Sequence, residues 1–377
     1  MMFICKQVLT SEGWKENQLI RIANGQVAGI EDAPNQADVP VYPYRLIPGF
    51  IDVQVNGGGG VLFNQQCEAG ALRKMMEAHR AFGTTALMPT LITDTTDVMV
   101  AAARAIKDAR VEGVPGIIGV HFEGPWLSKA RKGVHSENFI RLPSDQELAI
   151  LNDDALGVVM VTLAPESTPV EMIKQLTAAG VHVFLGHSNA TSEQVNAALE
   201  AGAVGFTHLY NAMSPMQSRA PGMVGVALAN NNAYAGLIVD GFHVDAQCCK
   251  VAINAKGKER IMLVTDAMAV AGTSLCEVPF FDTKILREGN KLTTPQGTLA
   301  GSCLTMIEAV QNTVKWCGVS VEDAIAMASS TPAAMLGVSD QYGSIAVGQQ
   351  ADFMCVDDDL NIRHLWQQGK PIALSKE

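Results

Sequence analysis

The 377 residues contain no stretch near the roughly 18 consecutive apolar residues that a membrane-spanning helix needs. The N-terminus, MMFICKQVLTSEGWKEN, has too short an apolar run and no small-residue cleavage site, so it does not read as a secretory signal. Eight cysteines occur without a CxxC pair or regular spacing, and several lie in apolar surroundings, which favours reduced, buried thiols in the cytoplasm over disulfides. Basic blocks are also missing: beyond Lys129-Ala130-Arg131-Lys132 nothing stands out, and a net charge of -11 argues against nucleic-acid or anionic-membrane partners. No dinucleotide fingerprint follows the first apolar strand, because VNGGGGV lacks the G-x-G-x-x-G spacing. The run Gly57 to Gly60 is therefore expected to be a flexible active-site loop rather than a phosphate cradle.

The middle of the chain is rich in short, non-alternating apolar runs of the kind found in strands covered on both faces: Leu46 to Val55, Thr85 to Leu91, Gly116 to Glu123, Gly157 to Leu163, Val181 to Gly186, Val204 to Thr207, Ala233 to Val239 and Ile261 to Thr265. Amphipathic stretches lie between most of them, at Ala71 to Phe82, Asp94 to Arg110, Pro169 to Ala179, Ser192 to Ala201 and Asp245 to Ala255. Thr191-Ser192-Glu193-Gln194 opens one like a capping box, and Gly180 and Gly202 close two as C-cap glycines would. Two further helices, Leu304 to Cys317 and Val321 to Leu336, would complete the set. Eight strands with intervening helices predict an α/β fold, a (β/α)8 TIM-type barrel of the usual size of about 250 residues. Both ends read as short strands, with Asn24-Gly25 as a hairpin turn. Neither is long enough to bury a core alone, so residues 1–47 and 340–377 are expected to pair into a small β-sandwich domain beside a barrel at 48–339.

Four strand ends carry polar groups that packing does not call for: Glu123, His187, His208 and Asp266, in GVHFEGPW, VFLGHSNA, GFTHLYNAM and MLVTDAMA. A parallel barrel points all its strand C-termini at one face, so residues far apart in sequence converge there. A lone strand-end glutamate is ordinarily a loop anchor and a lone buried histidine a bonded core residue. One carboxylate and two imidazoles together suit Zn²⁺ or a similar divalent ion with a position left open for water, which points to a metal-dependent hydrolase.

These motifs, taken together, are familiar. PGFIDVQVNG and GSIAVGQQADFMCVD resemble the opening and closing signatures of the amidohydrolase superfamily. HFEGPWL, KGVHSENF, GHSNAT, THLYNAM, DGFHVD, VTDAM and LAGSCLTM resemble, in order, the N-acetylglucosamine-6-phosphate deacetylase family within it. The resemblance implies that Glu123, His187 and His208 hold the metal, that Asp266 is the catalytic acid/base, and that His135 polarises the substrate carbonyl. It further implies sugar-phosphate contacts from Val134, Asn211, Ala212, Arg219, His243 and the Leu299-Ala300-Gly301 backbone. Many amidohydrolases place His-x-His at the end of the first strand; here Gln54-Val55-Asn56 stands there, so one divalent ion per subunit is expected, Zn²⁺ first, with Fe²⁺, Mn²⁺ and Co²⁺ open to the same ligands. The implied substrate is an amino-sugar phosphate, and a homodimer or homotetramer is expected. His121 is read as a partner of Glu123, and His79 and His182 as structural or surface residues. A related enzyme acting on a cyclic amide or nucleobase is disfavoured by the missing His-x-His. A silent sugar-phosphate-binding barrel is disfavoured because a sensor needs no proton carrier such as Asp266.

Overall fold

The structure, a computed structural model, describes residues 1–35 and 38–374, so residues 36, 37 and 375–377 of the expected terminal segments lie outside the described residues. Eight parallel strands lie in the predicted order: Phe50–Val55, Thr84–Ile92, Gly119–Glu123, Val158–Leu163, His182–Leu185, Gly205–Phe206, Tyr234–Leu237 and Ile261–Leu263. The first and last close the barrel through a parallel bridge, Val55 to Ala267, and the bond from Asp266 N to Gln54 O at 3.0 Å. Inside that seam the Asp52 carboxylate accepts hydrogen bonds from the Thr265 hydroxyl and the Gln54 and Thr265 amides. The fold is a (β/α)8 barrel.

The strand expected at Leu46 to Val55 is in fact two. Val41–Pro48 belongs to a second sheet and Phe50–Val55 to the barrel, with Gly49 at the crossing, where a Cβ would lie 2.1 Å from Thr85 Oγ1. The second sheet has seven strands drawn from both ends of the chain, Met2–Thr10, Gly13–Ala23, Gln26–Asp32, Val41–Pro48, Phe353–Val356, Ile362–Gln367 and Lys370–Ile372. Phe3 and Trp366 sit three strand spacings apart, roughly 14 Å in a flat sheet, yet their rings stack with centroids 5.0 Å apart. The sheet therefore curls onto itself as a sandwich around Phe3, Ile20, Phe353 and Trp366. The Asn24-Gly25 turn has φ of 52° and 77° and joins the paired residues Ala23 and Gln26, as a type I′ turn requires.

Three other elements differ from expectation. The helix read as Val321 to Leu336 is broken into Val321–Ala328 and Ser330–Leu336. Ser329 spends its hydroxyl on Ile325 O at 2.6 Å, and Pro332 has no N–H to continue the ladder. Gly222–Ala229, GMVGVALA, is a buried helix without polar positions to mark a period. After the eighth strand comes an antiparallel meander, Glu277–Phe280, Thr283–Glu288 and Lys291–Thr293, which packs its own apolar cluster against the barrel mouth. All eight cysteines are free thiols and five are buried, and no helix among the described residues is long and apolar enough to cross a membrane.

Far from the mouth, buried Asp352 accepts a hydrogen bond from Gln368 N and is pushed up to about 7 by burial. Its unfolded value is about 3.9, so its contribution is fully present below about pH 4 and is lost as pH rises through about 7. Roughly three pKa units correspond to at most about 4 kcal/mol. Asp352→Asn keeps an oxygen for Gln368 N but cannot ionise. Denaturant midpoints measured at pH 5 and pH 8 should fall less steeply with pH in the variant than in the parent; equal slopes would remove Asp352 as the source.

Candidate active site

Glu123 ends the third strand, His187 follows the fifth, His208 the sixth, and Asp266 lies just beyond the eighth. His187, His208 and Asp266 have φ of 46°, 31° and 51°, the left-handed region that costs a non-glycine residue of order 1–3 kcal/mol. The sharp reversal at each strand end turns these side chains into the barrel mouth. Glu123, His187 and His208 are buried and Asp266 is half-buried, and the four line a cavity of about 250 Å³.

Three donor atoms meet at the cavity floor. Glu123 Oε1 stands 3.0 Å from His208 Nε2 and 3.4 Å from His187 Nε2, and the two imidazole nitrogens are 3.0 Å apart. Ligands of a tetrahedral ion at about 2.0–2.1 Å would stand roughly 3.3 Å from one another, so this triangle has the size of a shared coordination shell. His187 Nδ1 lies 2.9 Å from Arg131 O. A carbonyl only accepts, so Nδ1 carries the proton and Nε2 offers its lone pair to the triangle. Nδ1 of buried His208 has no hydrogen-bond partner among the described residues. A second grouping is also close: ligand atoms of Glu123, His135 and His187 lie within 4.8 Å of one another. The tighter spacing of the first triangle favours His208 as the third member.

The electrostatics follow the same geometry. Burial pushes Glu123 up, but hydrogen bonds and charge from His187 and His208 outweigh it and hold the carboxyl well below its usual range. His208 is moved up on balance, because the Glu123 hydrogen bond and charge, with Asp266, overcome its burial. Asp266 is pushed up to about 6, first by burial and then by the negative charge of Glu123. Asn56 Nδ2 donates to Asp266 Oδ1 at 2.6 Å, while Gln54 Nε2 donates to Glu123 Oε1 at 3.1 Å and to Asp266 Oδ1 at 3.3 Å. The Gln-x-Asn pair thus holds both carboxylates by amide donors.

His135 is buried beside His187, with ring centroids 4.3 Å apart, and burial brings it down to about 3, so it stays neutral. The Thr93 peptide N–H donates to its Nδ1 at 3.4 Å, and a peptide N–H cannot accept. Nδ1 also lies 2.8 Å from Thr93 Oγ1, whose hydroxyl donates to Glu123 O at 3.1 Å, so Thr93 occupies Nδ1 and only Nε2 is left for a ligand.

Val134, Asn211, Ala212, His243, Leu299 and Gly301 also line the cavity. His243 is held by Asp240, Nδ1 to Oδ2 at 2.7 Å. Two sugar-phosphate candidates do not reach it. Ala300 is fully buried in the meander's apolar cluster and its N donates to Leu292 O, and Arg219 is exposed on the loop before Gly222–Ala229. His121 places its ring nitrogens against Thr90 Oγ1 and Thr162 Oγ1 in the barrel interior rather than in a hydrogen bond to Glu123. Nor is Gly57 to Gly60 a loose loop: Gly57 and Gly58 are buried in a short ladder with Val61 and Leu62, and a Cβ on Gly57 would lie 2.3 Å from Val61 O. His79 fastens this turn, Nε2 to Gly57 O at 2.8 Å. Asn56, Ile92, Met268, Phe280 and Thr298 line the cavity without having been picked out as contacts. Asn56 alone had a signal, its place two residues beyond Gln54 on the same strand face.

A family model described as the amidohydrolase family matches residues 45–372. An N-acetylgalactosamine-6-phosphate deacetylase from Shewanella sp. (strain ANA-3) is 46% identical over 97% of this chain and 94% of its own length. An N-acetylglucosamine-6-phosphate deacetylase from Vibrio furnissii is 35% identical over 98% of this chain and 94% of its own length. The crystal structure of N-acetylglucosamine-6-phosphate deacetylase from Pasteurella multocida superposes with a TM-score of 0.94 at 33% identity, covering 99% of this chain and 100% of that one. Barrel, mouth and matched length agree: the chain belongs to the amidohydrolase family.

Proposed function

We propose that this chain releases acetate from N-acetylhexosamine 6-phosphates, N-acetylglucosamine 6-phosphate among them, as a cytoplasmic enzyme of amino-sugar catabolism. The carrying observation is the Glu123–His187–His208 triangle with Asp266 joined to it through Gln54. Relatives named for both C4 epimers support the substrate class, and the 46% identity of the galactosamine-named relative makes that epimer an equal candidate.

Glu123, His187 and His208 would hold one divalent ion, Zn²⁺ first among Fe²⁺, Mn²⁺ and Co²⁺. Such an ion supplies Lewis acidity to the acyl oxygen and to water. Asp266, steadied by Asn56, takes the proton of the attacking water and returns it to the amine, which is otherwise a very poor leaving group. His135 would meet the acyl oxygen through Nε2 and, as its Nε2–H tautomer, donate to the negative charge that develops there. Val134, Asn211, Ala212, His243, Leu299 and Gly301 surround the sugar, with the Ala300 backbone behind them.

Arg219 supplies the phosphate contact in this reading, and its exposure outside the cavity supports a homodimer or homotetramer in which it serves a neighbouring copy's site. Acetate release should be measured on N-acetylglucosamine and N-acetylgalactosamine, with and without the 6-phosphate. Absence of acetate from all four would defeat the function. Arg219→Ala should raise KM roughly ten- to a hundred-fold for the phosphorylated sugars alone, the effect of losing one charge-assisted contact. Mixed oligomers of Arg219→Ala and Asp266→Asn should regain activity, because one site then has both residues intact; no recovery places Arg219 in its own subunit's site.

A further inference from the structure

The cavity is polar where the scissile amide must lie, with one exception. Ile92, Met268 and Phe280 reach it from a buried apolar cluster, at 4%, 2% and 2% exposure, whereas Val134 and Leu299 are half-exposed and stand nearer solvent. Two of the three are tied to the reacting groups by the chain itself. Ile92 is the register partner of Glu123 across the second and third barrel strands, and Met268 is two residues beyond Asp266.

Both are fixed in place. Asn64 grips the Ile92 backbone from both sides, donating from Nδ2 to Ile92 O at 2.9 Å and accepting from Ile92 N at 3.1 Å; it also donates to Asp94 Oδ2 at 2.9 Å. Met268 N donates to Ser302 O at 2.9 Å, and the Met268 side chain fills the space over Gly301, where a Cβ would lie 2.5 Å from Met268 Cγ. Rigid, dry walls discriminate by size, since an added methylene has nowhere to go.

In the hydrolase reading an acetamide between Glu123 and Asp266 would turn its oxygen towards His135 and its nitrogen towards the sugar. Its methyl is the one part without a polar partner. We propose that Ile92 and Met268, backed by Phe280, form the acyl pocket and set the upper length of the acyl group this enzyme removes. The assignment rests on the amide-hydrolase reading above. It makes the chain selective for one- and two-carbon acyl groups, while the sugar is chosen elsewhere in the cavity.

The test compares kcat/KM for N-acetyl, N-propionyl and N-butyryl glucosamine 6-phosphate in the parent, Ile92→Val, Ile92→Ala and Met268→Ala. In the parent, acetyl should be preferred to propionyl by roughly 10- to 200-fold, the range for one methylene in an apolar pocket. Ile92→Ala or Met268→Ala should narrow that ratio at least several-fold by gaining on the longer groups, and Ile92→Val, too small a change to endanger folding, should narrow it less. A parent that cleaves butyryl as readily as acetyl overturns the proposal, and so do variants that weaken all three substrates in the parent's proportion. Failure of the parent on every acyl group indicts the hydrolase reading instead.

Discussion

Asp266→Asn should lower turnover by roughly 10²- to 10⁴-fold while leaving folding, metal content and KM close to the parent's. Shape is preserved, and an asparagine oxygen at the Oδ1 position still accepts from Asn56 Nδ2, now 2.6 Å away. Basicity alone is removed. The carboxyl is moved up to about 6 by burial and by Glu123, so as pH falls through about 6 it gains a proton and can no longer act as a base. The acid limb of kcat/KM should therefore lie at or below about 6, because a cation beside Glu123 offsets the carboxylate charge that raises Asp266. Asn56→Ala removes a bond that favours the ionised form, so it should move that limb upward. Near-parent turnover in Asp266→Asn at saturating substrate would assign the proton to another group.

The parts of this site that were legible in the sequence share one property: an apolar run that stops abruptly at a polar residue. Glu123, His187, His208 and Asp266 each break a strand that is otherwise buried, and the fold brings all four together. Ile92, Met268 and Phe280 break nothing. They are apolar residues in apolar surroundings, and their contact with the cavity arises from how the meander folds over the mouth. That meander escaped notice because its strands are three to six residues long and partly exposed, too short for a period to register. His121 shares the strand face of Glu123, as alternation requires, but alternation does not say what a side chain bonds to, and Thr90 and Thr162 take both ring nitrogens. Arg219 was legible as chemistry but not as place, since a loop arginine has no packing pattern to anchor it.

Replacement of Glu123, His187 or His208 by Ala should take both bound metal and acetate release to background, whereas His135→Ala should keep the metal and lose turnover. The distinction matters because Glu123 and His187 belong to both possible groupings, and only the third member differs. If His208 completes the shell, its loss leaves two donors, fewer than the three protein ligands a catalytic zinc ordinarily has. If His135 completes it instead, the two variants exchange phenotypes, and metal analysis of purified protein reads the difference without any reliance on activity. The same analysis should find one equivalent per chain in the parent. Where other amidohydrolases have two imidazoles, Gln54 and Asn56 present amide N–H donors, and these are already directed at Glu123 and Asp266. An amide nitrogen has no lone pair to give an ion, and with both amide nitrogens turned to the carboxylates the position lacks the two imidazole donors, which is the ground for expecting a single ion. Gln54→Ala should accordingly weaken turnover yet retain the ion, and two tightly bound equivalents in the parent would defeat the single-ion account.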